Sequence, residues 1–361
     1  MDLDSKKVFK TLNPNKIWIP IGIGLAIVFY LFYSDPDLTT DKLRLIFDAS
    51  LVSVLVALVV IFIRDAGYVY RIRTLTGKQL TWKSSIYVII LWEFASAVTP
   101  SVVGGTAVAV FILNKEGITL GKSMAYAMLT AILDNLFFVI AAPLVLLMVQ
   151  GEIFPNYASI ENYLGSSLQY LFVISYLLIA TYTFAMSFAL FYRPRAFKWF
   201  LLKMTSIKFL KRWKNKANEH GEEIIQASLQ LKGKGIPYWI KICMATIIVW
   251  CARYLMLNCL ITAFANVSIM EHITIFSRQI IMWIVMLISP TPGSSGTAEF
   301  FFSQFFTEFL GDYTFVTNIS WRMLTYYPYL LLGAIFLPRW IQRVFFRKEG
   351  VVEKGAQGDT V

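Results

Sequence analysis

Long apolar segments recur along the chain at about 17–33, 43–63, 84–114, 122–149, 166–192, 238–265, 273–310 and 313–337. Short polar or basic stretches separate them. About 20 apolar residues cross the ~30 Å of hydrocarbon in a bilayer, so the pattern predicts a polytopic, all-α membrane protein. Two segments are not simple spans. Residues 99–107 read TPSVVGGTA and residues 289–300 read SPTPGSSGTAEF, so a proline-led turn ending in Gly-Thr-Ala interrupts an apolar run twice. After Pro100 the uncharged run 102–114 covers only ~20 Å at ~1.5 Å per residue. Pro100 bars a continuous helix and Gly104-Gly105 lets the backbone turn. Pro290, Pro292, Gly293 and Gly296 do the same in the later segment. Each is predicted to be a re-entrant helical hairpin.

Charge gives these segments a direction. Stretches 1–16, 64–83, 115–122, 193–241 and 339–361 hold 28 of the 33 Lys/Arg. The alternate loops hold Lys42, Arg44 and Arg278 beside Asp35, Asp37, Asp41, Glu152, Glu161, Glu271 and Asp312. The bias of Lys and Arg toward the cytoplasm places both termini there. Hairpin 84–114 then opens inward and hairpin 273–310 outward. The expected architecture is six full spans plus two re-entrant hairpins in an inverted repeat, the plan of many secondary transporters. Its parts are a cytoplasmic N-terminus (1–16), a first half (17–150), a second half (151–337) and a cytoplasmic tail (338–361) disordered toward its end. The basic apolar N-terminus reads as a retained first span, since Ser34-Asp35-Pro36-Asp37 offers no cleavage pattern. Loop 193–237 begins with a stretch that reads either as an amphipathic basic helix on the inner leaflet or as an ordinary positive-inside loop, and it could dock a partner.

Composition agrees. The chain is 57% hydrophobic and 15% charged, against roughly 25% charged in soluble proteins. The net charge of +11 follows the topology, and nucleic-acid binding is not expected. Cys243, Cys251 and Cys259 do not share a helical face, so neither disulfide nor metal cluster is expected. The phosphate-binding loop, the HExxH pair and paired cysteines are missing from the sequence, so no cofactor and no soluble catalytic domain are expected.

Inside lipid an irregular turn must be buried in protein or line a wet cavity. A helix starting there exposes unpaired N–H groups and the positive dipole end, which attract anions, unless its own Ser and Thr hydroxyls seal it. Glu93, Asp134, Arg253, Glu299 and Arg322 are the ionisable residues read as intramembrane, away from the ends of the predicted segments, and each needs a partner or water. Glu299 follows Gly296 by three, where a carboxylate caps a helix start. Asp134 and Arg322 hold similar places in the two halves and could meet. Arg253 reads as a structural partner of Glu93 or of another acidic neighbour, with Asn135, Asn258 and Gln304 lining the polar path. The candidate substrate-binding set is Gly104, Gly105, Thr106, Asp134, Gly293, Gly296, Thr297, Glu299 and Arg322.

From about residue 44 to 337 the chain resembles the lysylphosphatidylglycerol synthase transmembrane-region family of flippase-like proteins. The resemblance rests on Pro100 with Gly104-Gly105, then Gly117-Ile118-Thr119, Ala125 and Asp134. It rests further on Pro290, Pro292, Gly293, Gly296 and Glu299, then Arg322, Tyr326-Tyr327-Pro328 and Gly333. Ser294 stands where that family usually has a second glycine, and the arginines often found after the first glycine pair and before the aspartate are replaced. The resemblance implies translocation of a lipid between leaflets; the helix starts and Arg322 suit an anionic headgroup, and the expected setting is a bacterial inner membrane. Bifunctional members add a soluble aminoacyl-transferring domain. This sequence ends 24 residues after its last predicted span, so lysyl transfer is not expected. The alternatives are a membrane-embedded enzyme acting on a lipid-linked substrate and a non-transporting subunit that docks a partner through 193–237.

Overall fold

A computed structural model describes residues 39–99, 101–149, 153–155, 163–206, 211, 214–287, 294 and 296–346. The predicted first span 17–33, both chain ends, Pro100 and the turn residues Pro290, Pro292 and Gly293 lie outside the described residues. Among those described there are helices and turns and no strand. A short α1 (Thr40–Arg44) leads to α2 (Leu51–Leu75), α3 (Trp82–Val98), α4 (Ser101–Lys115) and α5 (Leu120–Val149). α6 (Tyr163–Ser187) runs on as a π turn at Phe188–Tyr192, and α7 (Pro194–Met204) and α8 (Lys214–Lys232) follow. α9 (Ile236–Ile261), α10 (Ile269–Met286), α11 (Thr297–Leu310), α12 (Thr314–Thr325) and α13 (Tyr327–Ile341) complete the described chain.

Five helical stretches are long and apolar enough to cross a membrane: Leu51–Leu75, Leu120–Val149, Leu168–Tyr192, Ile236–Ile261 and Ile269–Met286. Their outward faces carry large uncovered side chains, Phe62, Leu147 and Phe184 among them. Lipid, not water, is the solvent that suits such faces. The chain is a multi-pass membrane protein.

α2 and α9 are antiparallel partners along their whole length. Ser50 donates its N–H to the Ala263 carbonyl at 2.8 Å at one end, and Tyr238 donates its hydroxyl to the Leu75 carbonyl at 3.1 Å at the other. α3 packs on α4 and on α13, α5 on α4, α6 and α10, and α11 on α10 and α12. Helices in lipid associate through close packing, and small residues permit it. A Cβ at Gly105 would stand 2.2 Å from Ser96 Oγ, and one at Gly333 would stand 2.1 Å from the Phe94 ring. The first contact binds α4 to α3 and the second binds α13 to α3. One apolar core gathers the end of α2 with the starts of α5 and α9; a second gathers the later parts of α5 and α9 with α6, α10 and α11.

The boundaries differ from expectation at four places. Gly104-Gly105, expected to turn the backbone, are helical, because α4 already begins at Ser101. The segment expected over 43–63 is α2, which starts at Leu51 and continues to Leu75, through residues expected to be loop. Its Arg64 and Arg71 are 1% and 2% exposed, so they belong to the interior. The expected span 313–337 is two helices broken at Tyr326, whose φ of −122° leaves the helix; Pro328 sits in the first turn of α13, where a missing N–H costs nothing. The stretch 193–237 is a pair of packed helices over most of its length. α8 lies on α7 and α5, and Glu223 accepts the Gly121 N–H at 2.6 Å.

Candidate functional site

A cavity of about 210 Å³ opens between α3, α9, α10, α12 and the start of α13. α3 supplies Glu93 and Ser96, α9 supplies Arg253 and Tyr254, and α10 supplies Gln279, Met282, Trp283 and Met286. Ser294, Trp321, Arg322 and Thr325 close another side, with Tyr326 and Tyr329. The wall therefore combines two guanidiniums, one carboxylate, an amide and several aromatic rings.

The second broken segment builds one edge of this site. Ser294 holds φ +55° and Gly296 φ +80°, the left-handed region that glycine enters without strain. Ser294 occupies it at the position where the resembling family usually carries glycine. The Ser294 carbonyl accepts the Ala298 N–H at 2.7 Å, which starts α11. Glu299 then fulfils the capping expectation. Its Oε2 accepts the Gly296 N–H at 2.6 Å and its Oε1 lies 2.7 Å from Arg322 Nε. One carboxylate thus fixes both the helix start and the guanidinium that faces the cavity. Arg322 also lies over the Tyr326 ring, 4.1 Å from its centre.

On the opposite wall Arg253 Nη2 stands 3.7 Å from Glu93 Oε2, beyond a hydrogen bond. The guanidinium rests over Trp250, 5.1 Å from the ring centre. Arg253 Nε and the Tyr254 hydroxyl are buried without a hydrogen-bond partner. Gln279 is held beneath by the Tyr254 carbonyl at 3.2 Å and Asn258 Oδ1 at 2.9 Å, so Asn258 acts behind the wall.

A polar stripe on α2 runs beside the cavity. Arg64, Tyr68 and Arg71 are spaced by four and three and share one helical face. Arg71 grips Asp134 through both nitrogens, one of them at 3.1 Å, and reaches Thr246 Oγ1 at 3.2 Å. Trp250 donates its indole N–H to Asp134 at 2.8 Å. Arg64 binds Asp65 at 3.0 Å and touches the Tyr329 hydroxyl. Tyr329 donates to Asp65 at 2.8 Å and lines the cavity itself, which connects the stripe to the site.

Of the candidates from sequence, Arg322 lines the cavity and Glu299, Gly296 and Thr297 form the helix start behind it. Gly104, Gly105 and Thr106 lie in the first turns of α4, where Gly105 packs against the cavity residue Ser96. Gly293 lies outside the described residues. The meeting of Asp134 with Arg322 does not occur: Arg71 and Trp250 hold Asp134, while Glu299 holds Arg322. The similar places of Asp134 and Arg322 in their halves left α2 out of account, and α2 lies nearer to Asp134. Arg253 and Glu93 do pair, as expected, and both face the cavity. The sequence reading missed Arg64, Arg71, Tyr254 and Gln279. Arginines seven apart with Tyr68 between them were the available sign of a buried polar face.

Residues 17–333 match the family model described as "Lysylphosphatidylglycerol synthase TM region". A protein of Archaeoglobus fulgidus described as "UPF0104 membrane protein" is 23% identical over 263 residues, covering 72% of this chain and 76% of its own. The chain belongs to the lysylphosphatidylglycerol synthase transmembrane-region family.

Proposed function

We propose that this family member carries a lipid with an anionic headgroup between the two leaflets, through the cavity walled by Arg253 and Arg322. The observation that carries the reading is a pair of guanidiniums lining a recess of about 210 Å³ in a membrane-embedded helical body. Charged groups in lipid are expensive and concentrate on transport pathways. The recess has room for a headgroup and a few waters, while the acyl chains stay in the bilayer.

The transport cycle is rocking of two inverted halves, with hairpin α3–α4 the counterpart of α10–α11. Reciprocal packing supports this. α13 of the second half lies on α3 of the first, while α5 of the first lies on α10 of the second, and the equivalent helices α2 and α9 pair antiparallel. The proposed setting is a bacterial inner membrane with both termini cytoplasmic, where α7 and α8 face anionic lipid or a partner. The lipid leaves chemically unchanged, so the protein acts as a transporter and not as an enzyme.

Headgroup-labelled lipid in proteoliposomes tests this. Wild type should equilibrate the label across the bilayer faster than empty vesicles do. Arg322→Ala, which removes a charge-assisted contact, should slow it by at least about tenfold. Equal rates for wild type, variant and empty vesicles would sink the proposal.

A further inference from the structure

We propose that Glu93 is an internal stand-in for the ligand: its carboxylate occupies the phosphate position on Arg253 and is displaced when a phosphate group enters. The inference rests on the cavity being the substrate site and adds what the site recognises and which residue limits that recognition.

Among the arginine pairs shielded by the fold, distance sets this one apart. Arg322–Glu299, Arg64–Asp65 and Arg278–Glu308 are closed at 2.7, 2.8 and 2.8 Å, and Arg71 holds Asp134 in a fork. Glu93 and Arg253 stand at 3.7 Å with no hydrogen bond between them, both partly open to the cavity. A guanidinium has five donors suited to planar or tetrahedral oxyanions, and the Nε of Arg253 is unused and buried. Beside it the Tyr254 hydroxyl, on a residue 5% exposed, is also unused. A buried polar atom without a partner costs stability, and two such atoms on one cavity wall fit a site completed by what binds there. Both atoms are covered in this conformation, so a phosphate oxygen drawn to Arg253 reaches them only as the wall opens with the departure of Glu93. Arg322, already held by Glu299, supplies charge across the recess.

Displacement follows from electrostatics. Glu93 and a phosphate repel each other and compete for one cation, so the carboxylate lowers affinity. A phosphate diester carried by a lipid and free inorganic phosphate share the recognised chemistry.

The test is binding by the full-length protein in detergent, with inorganic phosphate and a short-chain, water-soluble phosphatidylglycerol as separate probes. Glu93→Gln keeps the shape of the residue and removes its charge. It should bind at least one probe roughly fivefold tighter than wild type, the scale of losing one partly exposed ionic competitor. Tyr254→Phe should weaken the same probe while its melting temperature in the empty state does not fall. Tighter binding of phosphatidylglycerol assigns the site to a lipid headgroup, and tighter binding of phosphate alone assigns it to the free anion. Glu93→Gln binding that is unchanged or weaker overturns the proposal, as does the absence of binding by either probe. If Glu93→Gln does not fold, unchanged affinity in Tyr254→Phe overturns it. Lipid movement by wild type alongside a failed binding test leaves transport standing without the displacement. Tighter binding with no movement above empty vesicles does the reverse.

Discussion

An arginine in the membrane interior is tolerated when a carboxylate stands within hydrogen-bond range, and α2 meets that condition at Arg64 and at Arg71. The second pair is the more enclosed, with Thr246 and Trp250 completing it. Arg71→Leu leaves Asp134 as an uncompensated charge and should cost about 3–5 kcal/mol. Arg71→Leu with Asp134→Leu should cost less than the single change, because no charge is stranded. Thermal unfolding in detergent measures both, and a double variant less stable than Arg71→Leu would refute the argument. At this scale the sequence was partly legible. Glu299 could be read as a cap because its three-residue offset from Gly296 is a local relation. The partner of Asp134 could not be read, because Arg71 is 63 residues away and its charge resembles that of a loop marker.

Helices report their breaks unevenly. An interruption between Val98 and Ser101 was visible because Pro100 falls inside an apolar run, but Gly104-Gly105, read as the turn, are helical within α4. The break at Tyr326 was hidden, since Tyr326-Tyr327-Pro328 sits in a continuous apolar stretch and a proline in a first helical turn is compatible with a helix start. α8 was missed because its polar surface suggested loop, whereas Ile224, Ala227 and Leu231 are buried. α3 and α4 meet through Gly105, where an added Cβ would lie 2.2 Å from the Ser96 hydroxyl and 3.1 Å from its Cα. Gly105→Ala should therefore destabilise the protein by about 1–3 kcal/mol, the usual cost of overpacking. Ser96→Ala should recover part of that loss by removing the nearest atom. Additive losses in the double variant would place the clash elsewhere.

For the molecule as a whole, the spacing of apolar runs was enough to reveal a multi-pass helical bundle, since membrane thickness imposes a length that water does not. Charge bias was a coarser guide, because it counted Arg64 and Arg71 with the loops. How the helices pair was beyond the sequence. The α2–α9 contact joins segments far apart in the chain and depends on shape, as at Gly67, where an added Cβ would stand 2.8 Å from Val249. The pairing has an electrical result. Arg64 with Asp65, Arg71 with Asp134, Arg253 with Glu93 and Arg322 with Glu299 each sum to zero. An empty bundle with these pairs intact offers the transmembrane field no net charge to pull on there, and a bound anion supplies one. Moving one elementary charge through 100 mV changes its energy by ~2.3 kcal/mol, about fortyfold if the whole drop is crossed. Lipid movement in vesicles clamped with a potassium gradient and an ionophore should then be electrogenic, its direction following the sign of the imposed voltage.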